Sequence, residues 1–191
     1  MRTHNRRESF FKCLDSIKQQ SVLPVLLIIS DDPSDDYVNQ TDIRHLLYRP
    51  VKKKTRRWIR HHNPYNDYFN QAMRLIPDGN FVIYLDDDDL LLDKDWIKTI
   101  IDYDTDVLIA KFKMGRNHGY KTIGHAVKRG EIGGSCYAVR SEIARKIKWP
   151  KRGGGDFKFI KKAAKLYDPV FIDMIAAGVQ NNLSRSWREK G

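Results

Sequence analysis

The sequence predicts a single α/β domain with a mainly parallel central sheet flanked by helices, and three observations carry that prediction. Two apolar pentapeptides, VLLII at 25–29 and FVIYL at 81–85, are continuous rather than alternating, the pattern of strands covered on both faces. Each runs directly into an acidic loop, SDDPSDD after the first and four aspartates after the second. Helical periodicity precedes each strand, so the unit recurs along the chain. In such sheets ligands collect at the carboxyl ends of the strands, where both acidic loops fall.

The elements follow in order. Residues 5–20 read as an amphipathic helix: Phe10, Phe11, Cys13, Leu14 and Ile17 share one face, and Asn5 and Glu8 have the spacing of a capping box. After the first strand and its loop, a helix begins near Asn63 as cap, with Pro64 at its first position. Tyr68, Ala72, Met73 and Ile76 form its inner face, and Gly79 ends it or opens the next turn. The second strand and the aspartates lead into a helix capped by Asp93, with Trp96, Ile97, Ile100 and Ile101 inside. A strand at 107–112, a loop bearing Arg116, His118 and Gly119, a β-rich stretch through 133–139 and a helix over 156–166 complete the reading. No internal repeat or long linker interrupts it. The tail SRSWREKG reads as exposed, and as the cut edge of a longer chain.

With 191 residues, 41% hydrophobic and 11% aromatic, the chain suffices for one sizeable core. It contains no run of eighteen apolar residues, and its first residues, MRTHNRRESFF, are polar where a signal peptide needs an apolar stretch. A soluble, cytoplasmic protein without membrane insertion is expected. Cys13 and Cys136 lack metal-ligand spacing and read as reduced, packed thiols. A net charge of +11 suits polyanionic partners. Much of the excess lies in RPVKKKTRRWIRHH at 49–62, which fits a solvated loop and a phosphate-facing surface equally well.

The aspartates Asp86, Asp87, Asp88 and Asp89 point to chemistry. Four successive carboxylates at the end of a buried strand repel one another, and partial desolvation adds to the cost of ionising them. A divalent cation removes that penalty. Mg²⁺ and Mn²⁺ take oxygen ligands, use one or two carboxylates, and leave positions open for phosphate oxygens. Transfer from a nucleotide sugar breaks the bond from sugar C1 to the diphosphate, and a bridging cation stabilises the charge that builds there. The plainer alternative is that these residues decorate a turn and cap the next helix, for which one aspartate would suffice.

Several ordered segments resemble the family-2 glycosyltransferases of the GT-A fold, a nucleotide-diphospho-sugar transferase, Rossmann-like architecture. RTHNRRESFFKCLDSIKQQ is similar to that family's opening Thr-x-Asn-Arg turn and helix. LIISDDPSDD resembles its second strand and acidic loop, and NPYNDYFNQAMRLIPDGNFVIYLDDDDLLLDKDWI its helix, strand and Leu-Asp-x-Asp-Asp element. Together these cover about the first half of the chain. A small domain of this kind is also similar to the leading domain of multidomain glycosyltransferases of large algal viruses, which would place it in a host cytoplasm.

The resemblance implies that Thr3 and Arg6 lie near the nucleotide and that Asp31 faces a uracil-type base. It places Asp86 near the ribose and the metal, Asp88 on the metal, and Asp87 in the variable middle of the motif. A Mn²⁺ or Mg²⁺ ion is the implied cofactor. Two departures stand out: only Met1 and Arg2 precede Thr3 where the family has a full strand, and Pro33 replaces the usual Gly of the second loop. In the second half, IGGSCYAVRSEI resembles the acceptor-side strand and helix. GGGDFKFI stands where the family carries its catalytic base, which makes Asp156 the candidate; an Asp there is equally a helix N-cap, and the roles are compatible.

The expected function is metal-dependent transfer of a sugar from a UDP- or dTDP-sugar to a carbohydrate or glycoprotein acceptor. Residues 1–105 would bind the donor and residues 106–191 the acceptor, with further domains as partners if the polypeptide is longer. Arg57 and Arg60 are candidates for the diphosphate, and Trp58 or Tyr65 for stacking. His118, His125 and Asp173 fit a structural reading better than a metal or acceptor site. Two alternatives remain. A sugar nucleotidyltransferase would normally show a Gly-rich, Arg-containing loop after its first strand, which THNRRES is not. A nucleic-acid-binding module would use the basic segment, but the four strand-end aspartates would oppose it, so no nucleic-acid partner is expected.

Overall fold

The computed structural model of the chain describes residues 1–50, 64–116, 119–150 and 154–180. The basic run beyond Pro50 with Arg57, Trp58 and Arg60, the predicted cap Asn63, His118 and the SRSWREKG tail lie outside the described residues.

The element order is β1 (Arg2–Thr3), α1 (Arg7–Lys18), β2 (Leu26–Ser30), β3 (His45–Tyr48), α2 (Pro64–Ala72), β4 (Phe81–Ile83), β5 (Asp89–Leu91), α3 (Trp96–Tyr103), β6 (Val107–Arg116), β7 (Gly119–Ile123), β8 (Tyr137–Arg140), α4 (Ser141–Ile147), α5 (Gly155–Leu166) and β9 (Val170–Val179). The α/β class read from the sequence is therefore the observed one. β1, β2 and β3 form a parallel sheet in that order. The remaining strands run β4-β8-β6-β9-β5, with β7 paired to β6. In this half only β6 and β9 are parallel, so the sheet is mixed where the sequence predicted it mainly parallel. The difference arises in β8 and β9, whose apolar runs carry no directional signal. β8 inserts antiparallel between β4 and β6, and β9 had not been recognised as a strand.

The two sheets meet at β1. Arg2 donates its N–H to the Leu85 carbonyl at 2.9 Å and accepts from the Asp87 N–H at 3.0 Å, while the Met1 carbonyl accepts from Ile29 at 2.8 Å. The short first strand is thus a seam between β2 and the segment that continues β4, and Arg2 bridges in parallel to Asp86. Alternation then sorts side chains to the two faces. Thr3 and Asp87 face α1, whose Phe10, Leu14 and Ile17 are buried. Arg2 and Asp86 face the other way, Arg2 lying over the rings of Tyr65 and Phe69 of α2.

Local predictions fare unevenly. Helix α1 forms, but Asn5 does not cap it. Asn5 sits at φ 47° with its N–H on Asp35 Oδ1, Arg6 takes the cap position, and Glu8 pairs with Lys12 instead. Asp93 bonds the N–H of Asp95 one residue before α3, so Asp95, not Asp93, is its N-cap; Ile101 is exposed on the far side of that helix. Gly79 opens a turn at φ 77°, as expected. Gly124 is required by its setting: at φ 102°, a Cβ would fall 2.3 Å from the Ala110 carbonyl oxygen. Among the described residues no helix is long and apolar enough to cross a membrane. Cys13 and Cys136 are buried free thiols, as the sequence predicted.

Helix α5 is anchored through aromatic packing. Phe159 stacks on Trp149 at 5.4 Å and on Tyr137 at 6.0 Å and meets Tyr84 edge-on at 5.3 Å. Phe69 contacts Tyr84 and Trp149, which joins α2 to the same cluster. Such a cluster fixes the first turn of α5 relative to the end of β4. We expect Phe159→Ala to lower unfolding free energy by about 3–5 kcal/mol, the usual cost of emptying a well-packed aromatic site. Equilibrium urea unfolding measures it, and a loss under about 1 kcal/mol would show that α5 is held by something other than this cluster.

Candidate functional site

The four aspartates form one β-turn. The Asp89 N–H donates to the Asp86 carbonyl at 3.0 Å, reversing the chain from the end of β4 into β5. The carbonyls of Asp87 and Asp88 are held from just past β9: Gln180 donates its backbone N–H to Asp88 O at 2.8 Å and its side-chain Nε2 to Asp87 O at 3.0 Å. The same Nε2 also reaches the Ser9 carbonyl in α1. With its backbone acceptors committed inward, the turn is rigid and its side chains are displayed.

The carboxylates divide between two tasks. Asp87 is fully buried, accepting from Thr3 Oγ1 at 2.7 Å and lying against the Arg6 guanidinium. Burial pushes its carboxyl up to about 6, against the pull of Arg6 and Thr3. Asp89 accepts from Ser135 Oγ at 2.9 Å, and burial, with Asp86 and Asp88 adding to it, pushes it well above the ordinary carboxylate range. Asp86 and Asp88 are the displayed pair, with side chains 35% and 23% exposed. Arg2 holds Asp86 Oδ2 at 2.6 Å and Arg6 holds Asp88 Oδ2 at 2.8 Å. The second oxygen of each makes no hydrogen bond among the described residues.

Thr3 lies in the floor rather than the opening, 1% exposed, its hydroxyl shared between Asp87 and the Tyr37 hydroxyl at 2.8 Å. Arg6, at the start of α1, spans Asp87 and Asp88. Asp31 sits beyond the end of β2 with its side chain 11% exposed and its Oδ1 3.0 Å from His4 Nδ1. Tyr68 bonds to it, and the Tyr68 hydroxyl is pushed up to about 12, mainly by burial and further by Asp31. Tyr65 stands beside this group under the Arg2 guanidinium, 4.6 Å from its ring centroid. The acidic loop is braced by Arg49, which donates to Ser30 Oγ at 2.5 Å and to the Asp32 carbonyl at 2.6 Å. Asp35 is buried there, accepting from Asn5 N–H and Ser30 Oγ.

Asp156 occupies the first turn of α5, after Gly154 at φ 70°. Gly155 is dictated by packing, since a Cβ would fall 2.6 Å from Trp149 and 2.7 Å from the Asn66 amide. Burial raises the Asp156 carboxyl, the Phe157 N–H opposes that, and the charge of Asp86 raises it again. No side chain caps α5 from Gly154, and Asp156 lies inside the helix rather than at its cap. His125 is exposed, and Asp173 pairs with Lys111 on the exposed face of β9, away from the aspartate turn.

The structure thus brings Arg6, Asp86, Asp87 and Asp88 together at the turn, with Thr3 beneath them, while Asp31 lies beyond the end of β2 and Asp156 in the first turn of α5. Sequence reasoning missed Arg2, Tyr37 and Gln180. Arg2 carried no signal because it belongs to a two-residue strand, and Gln180 only closes an apolar run. Among the described residues no three or more His, Cys, Asp and Glu side chains gather as a ready-made metal site. The donor set nevertheless suits a hard divalent ion that draws one or two carboxylates from protein and its other ligands from phosphate and water: Asp86 and Asp88 each offer one uncommitted oxygen.

No protein-family model matches the sequence, and no curated protein matches it. Solved structures do. The chain is similar to glucosyl-3-phosphoglycerate synthase from Mycobacterium tuberculosis in complex with phosphoglyceric acid, at a TM-score of 0.63 and 10% identity, covering 100% of this chain and 72% of that one. It is similar to a putative glucose-1-phosphate thymidylyltransferase from Bacillus anthracis, at a TM-score of 0.56 and 8% identity, covering 88% and 74%. The bifunctional IspDF from Campylobacter jejuni matches at a TM-score of 0.55 and 11% identity, over 91% of this chain and 43% of that one. At such identities the likeness speaks to architecture alone, the mixed α/β, Rossmann-like fold that these structures share.

Proposed function

We propose that the protein is a glycosyltransferase that moves a sugar from a nucleoside diphosphate, UDP or dTDP, to a carbohydrate or glycoprotein acceptor. The observation that carries this reading is the display of Asp86 and Asp88 from a backbone-locked turn, with Arg2 and Arg6 beside them. A Mn²⁺ or Mg²⁺ ion held by Asp88 and Asp86 would supply charge neutralisation for the departing diphosphate. Arg6 and Arg2 stand where their guanidinium groups add to that field. Asp31, with Tyr65 and Tyr68 around it, is the group that meets the base, and Thr3 keeps the Asp87 floor in place.

Asp156 is the general base. Its carboxylate takes the proton of the acceptor hydroxyl as that oxygen bonds to sugar C1 and the C1–diphosphate oxygen bond breaks, the electron pair leaving with the nucleoside diphosphate. Displacement of this kind inverts the anomeric carbon. A sugar nucleotidyltransferase is the second reading, favoured by the likeness to the thymidylyltransferase. Products separate the two: sugar transfer releases a nucleoside diphosphate, whereas nucleotidyl transfer consumes a nucleoside triphosphate and releases pyrophosphate.

Thermal unfolding in the presence of UDP, dTDP or GDP, with and without Mn²⁺, tests the donor assignment directly. A nucleoside diphosphate should raise the melting temperature in a metal-dependent way, and an oligonucleotide should not. If no nucleoside diphosphate shifts the transition at saturating Mn²⁺, the assignment fails. With a donor in hand, Asp88→Ala should reduce metal-dependent transfer by about a hundredfold or more, the scale seen on removing a group that stabilises developing charge. Undiminished turnover in that variant would remove Asp88 from the site.

The pH dependence follows from Asp156. A base acts when deprotonated, and a carboxyl raised by burial and by Asp86 loses its proton at higher pH than usual. The acid limb of kcat/KM should therefore rise with a midpoint above about 4, the ordinary carboxylate value. Asp156→Asn should abolish that limb and transfer together while nucleotide-induced stabilisation persists. Retention of both the limb and the rate would assign the base elsewhere.

A further inference from the structure

We infer that Arg2 and Arg6 are built-in counterions for the displayed aspartates, which a divalent cation and a diphosphate displace together, so that the two ligands bind with strong positive coupling. This rests on reading the aspartate turn as a nucleoside-diphosphate and cation site. Four carboxylates occupy consecutive positions, and two guanidinium groups serve them: Arg2 on Asp86, and Arg6 on Asp87 and Asp88. Without a cation this arrangement makes the turn tolerable, because like charges at such spacing repel. It also sets an obstacle. A cation approaching Asp86 and Asp88 meets two fixed positive charges already seated on their Oδ2 atoms.

A diphosphate removes the obstacle. Its oxygens are ligands for both the cation and the guanidinium groups, and the planar fork of Arg suits phosphate as well as carboxylate. Each guanidinium can turn from carboxylate to phosphate without losing a charged partner, while the freed carboxylate oxygens pass to the cation. Arg2 and Arg6 are suited to such a move, being 19% and 31% exposed at the side chain, and Arg2 rests on the flat face of Tyr65 rather than in a closed cage. Asp87 and Asp89 are unsuited to it: Asp87 is buried and Asp89 is held by the Ser135 hydroxyl, so they stay as the fixed base of the turn. The cation therefore gains affinity from the diphosphate, and by linkage the diphosphate gains the same factor from the cation.

Mn²⁺ titrations of the full chain followed by electron paramagnetic resonance, with and without UDP, read this coupling without any turnover. The wild-type protein should bind Mn²⁺ at least about tenfold more tightly with UDP present, within the usual range of coupling between two sites. Arg6→Lys keeps a positive charge for buried Asp87 but cannot span two carboxylates, and so releases Asp88. Arg2→Met frees Asp86 and leaves the Arg6–Asp87 ion pair in place. Both variants should bind Mn²⁺ alone more tightly than wild type, and both should show a smaller UDP effect. Equal or weaker binding of Mn²⁺ alone in both variants, or a wild-type affinity indifferent to UDP, would overturn the inference. Failure of UDP, dTDP and GDP alike to bind at saturating Mn²⁺ would instead overturn the donor reading on which it rests.

Discussion

Everything at this sheet edge depends on a strand of two residues. Arg2 hydrogen-bonds to Leu85 and Asp87 on one side, and Met1 accepts from Ile29 of β2 on the other. A parallel ladder this short contributes few bonds of its own. Side chains reinforce it from both faces: Thr3 and Arg6 bind Asp87 below, and the Arg2 guanidinium holds Asp86 above. The loop carrying Asp31 and the turn carrying Asp86 to Asp89 are neighbours only because this seam closes. Loss of the seam would separate the loop carrying Asp31 from the aspartate turn and open the one core that both sheets share.

Buried carboxylates are the cost of that closure. Asp35 and Asp87 are buried and Asp89 half-buried; hydroxyl and backbone donors hold Asp35 and Asp89, while Asp87 accepts from Thr3 and its Oδ1, without a hydrogen bond, lies against the Arg6 guanidinium. Their role is local order: Asp35 organises the first acidic loop, Asp87 ties the β1 seam, and Asp89 fixes the turn to the segment before β8. Because three carboxylates are spent inside, the exposed ones are placed with little freedom. This explains why acidic runs longer than a metal would need occur at both strand ends. Part of each run is scaffold, and part is display.

Much of this was legible from residues alone, for physical reasons that can be named. The apolar pentapeptides announced buried strands ending in acidic loops, and the alternation of strand and helix announced the α/β class. The plain alternative for the aspartates, a turn, is what the structure shows, although the turn does not cap the next helix. What stayed hidden was long-range pairing. Period and propensity do not encode strand direction, so the antiparallel insertion of β8 was missed. A capping box at Asn5 was plausible locally, but Asp35, thirty residues away, claimed the Asn5 N–H and left Arg6 at the helix start. Thr3, read as a nucleotide contact, is drawn inward for the same reason: Asp87 and Tyr37 compete for its hydroxyl and hold it.

The placement of Gln180 shows how far such hidden pairing reaches into chemistry. It lies 92 positions from Asp88, yet its backbone and side chain hold two carbonyls of the aspartate turn and one of α1. A charged residue there would put a full charge beside four aspartates; an apolar one would keep the backbone bond to Asp88 but take the side-chain donor from the Asp87 carbonyl, at about 1–3 kcal/mol. An amide supplies donors without charge, so the backbone of the turn is held independently of the charges around it: bonds to neutral donors are indifferent to which positive charge sits on the carboxylates.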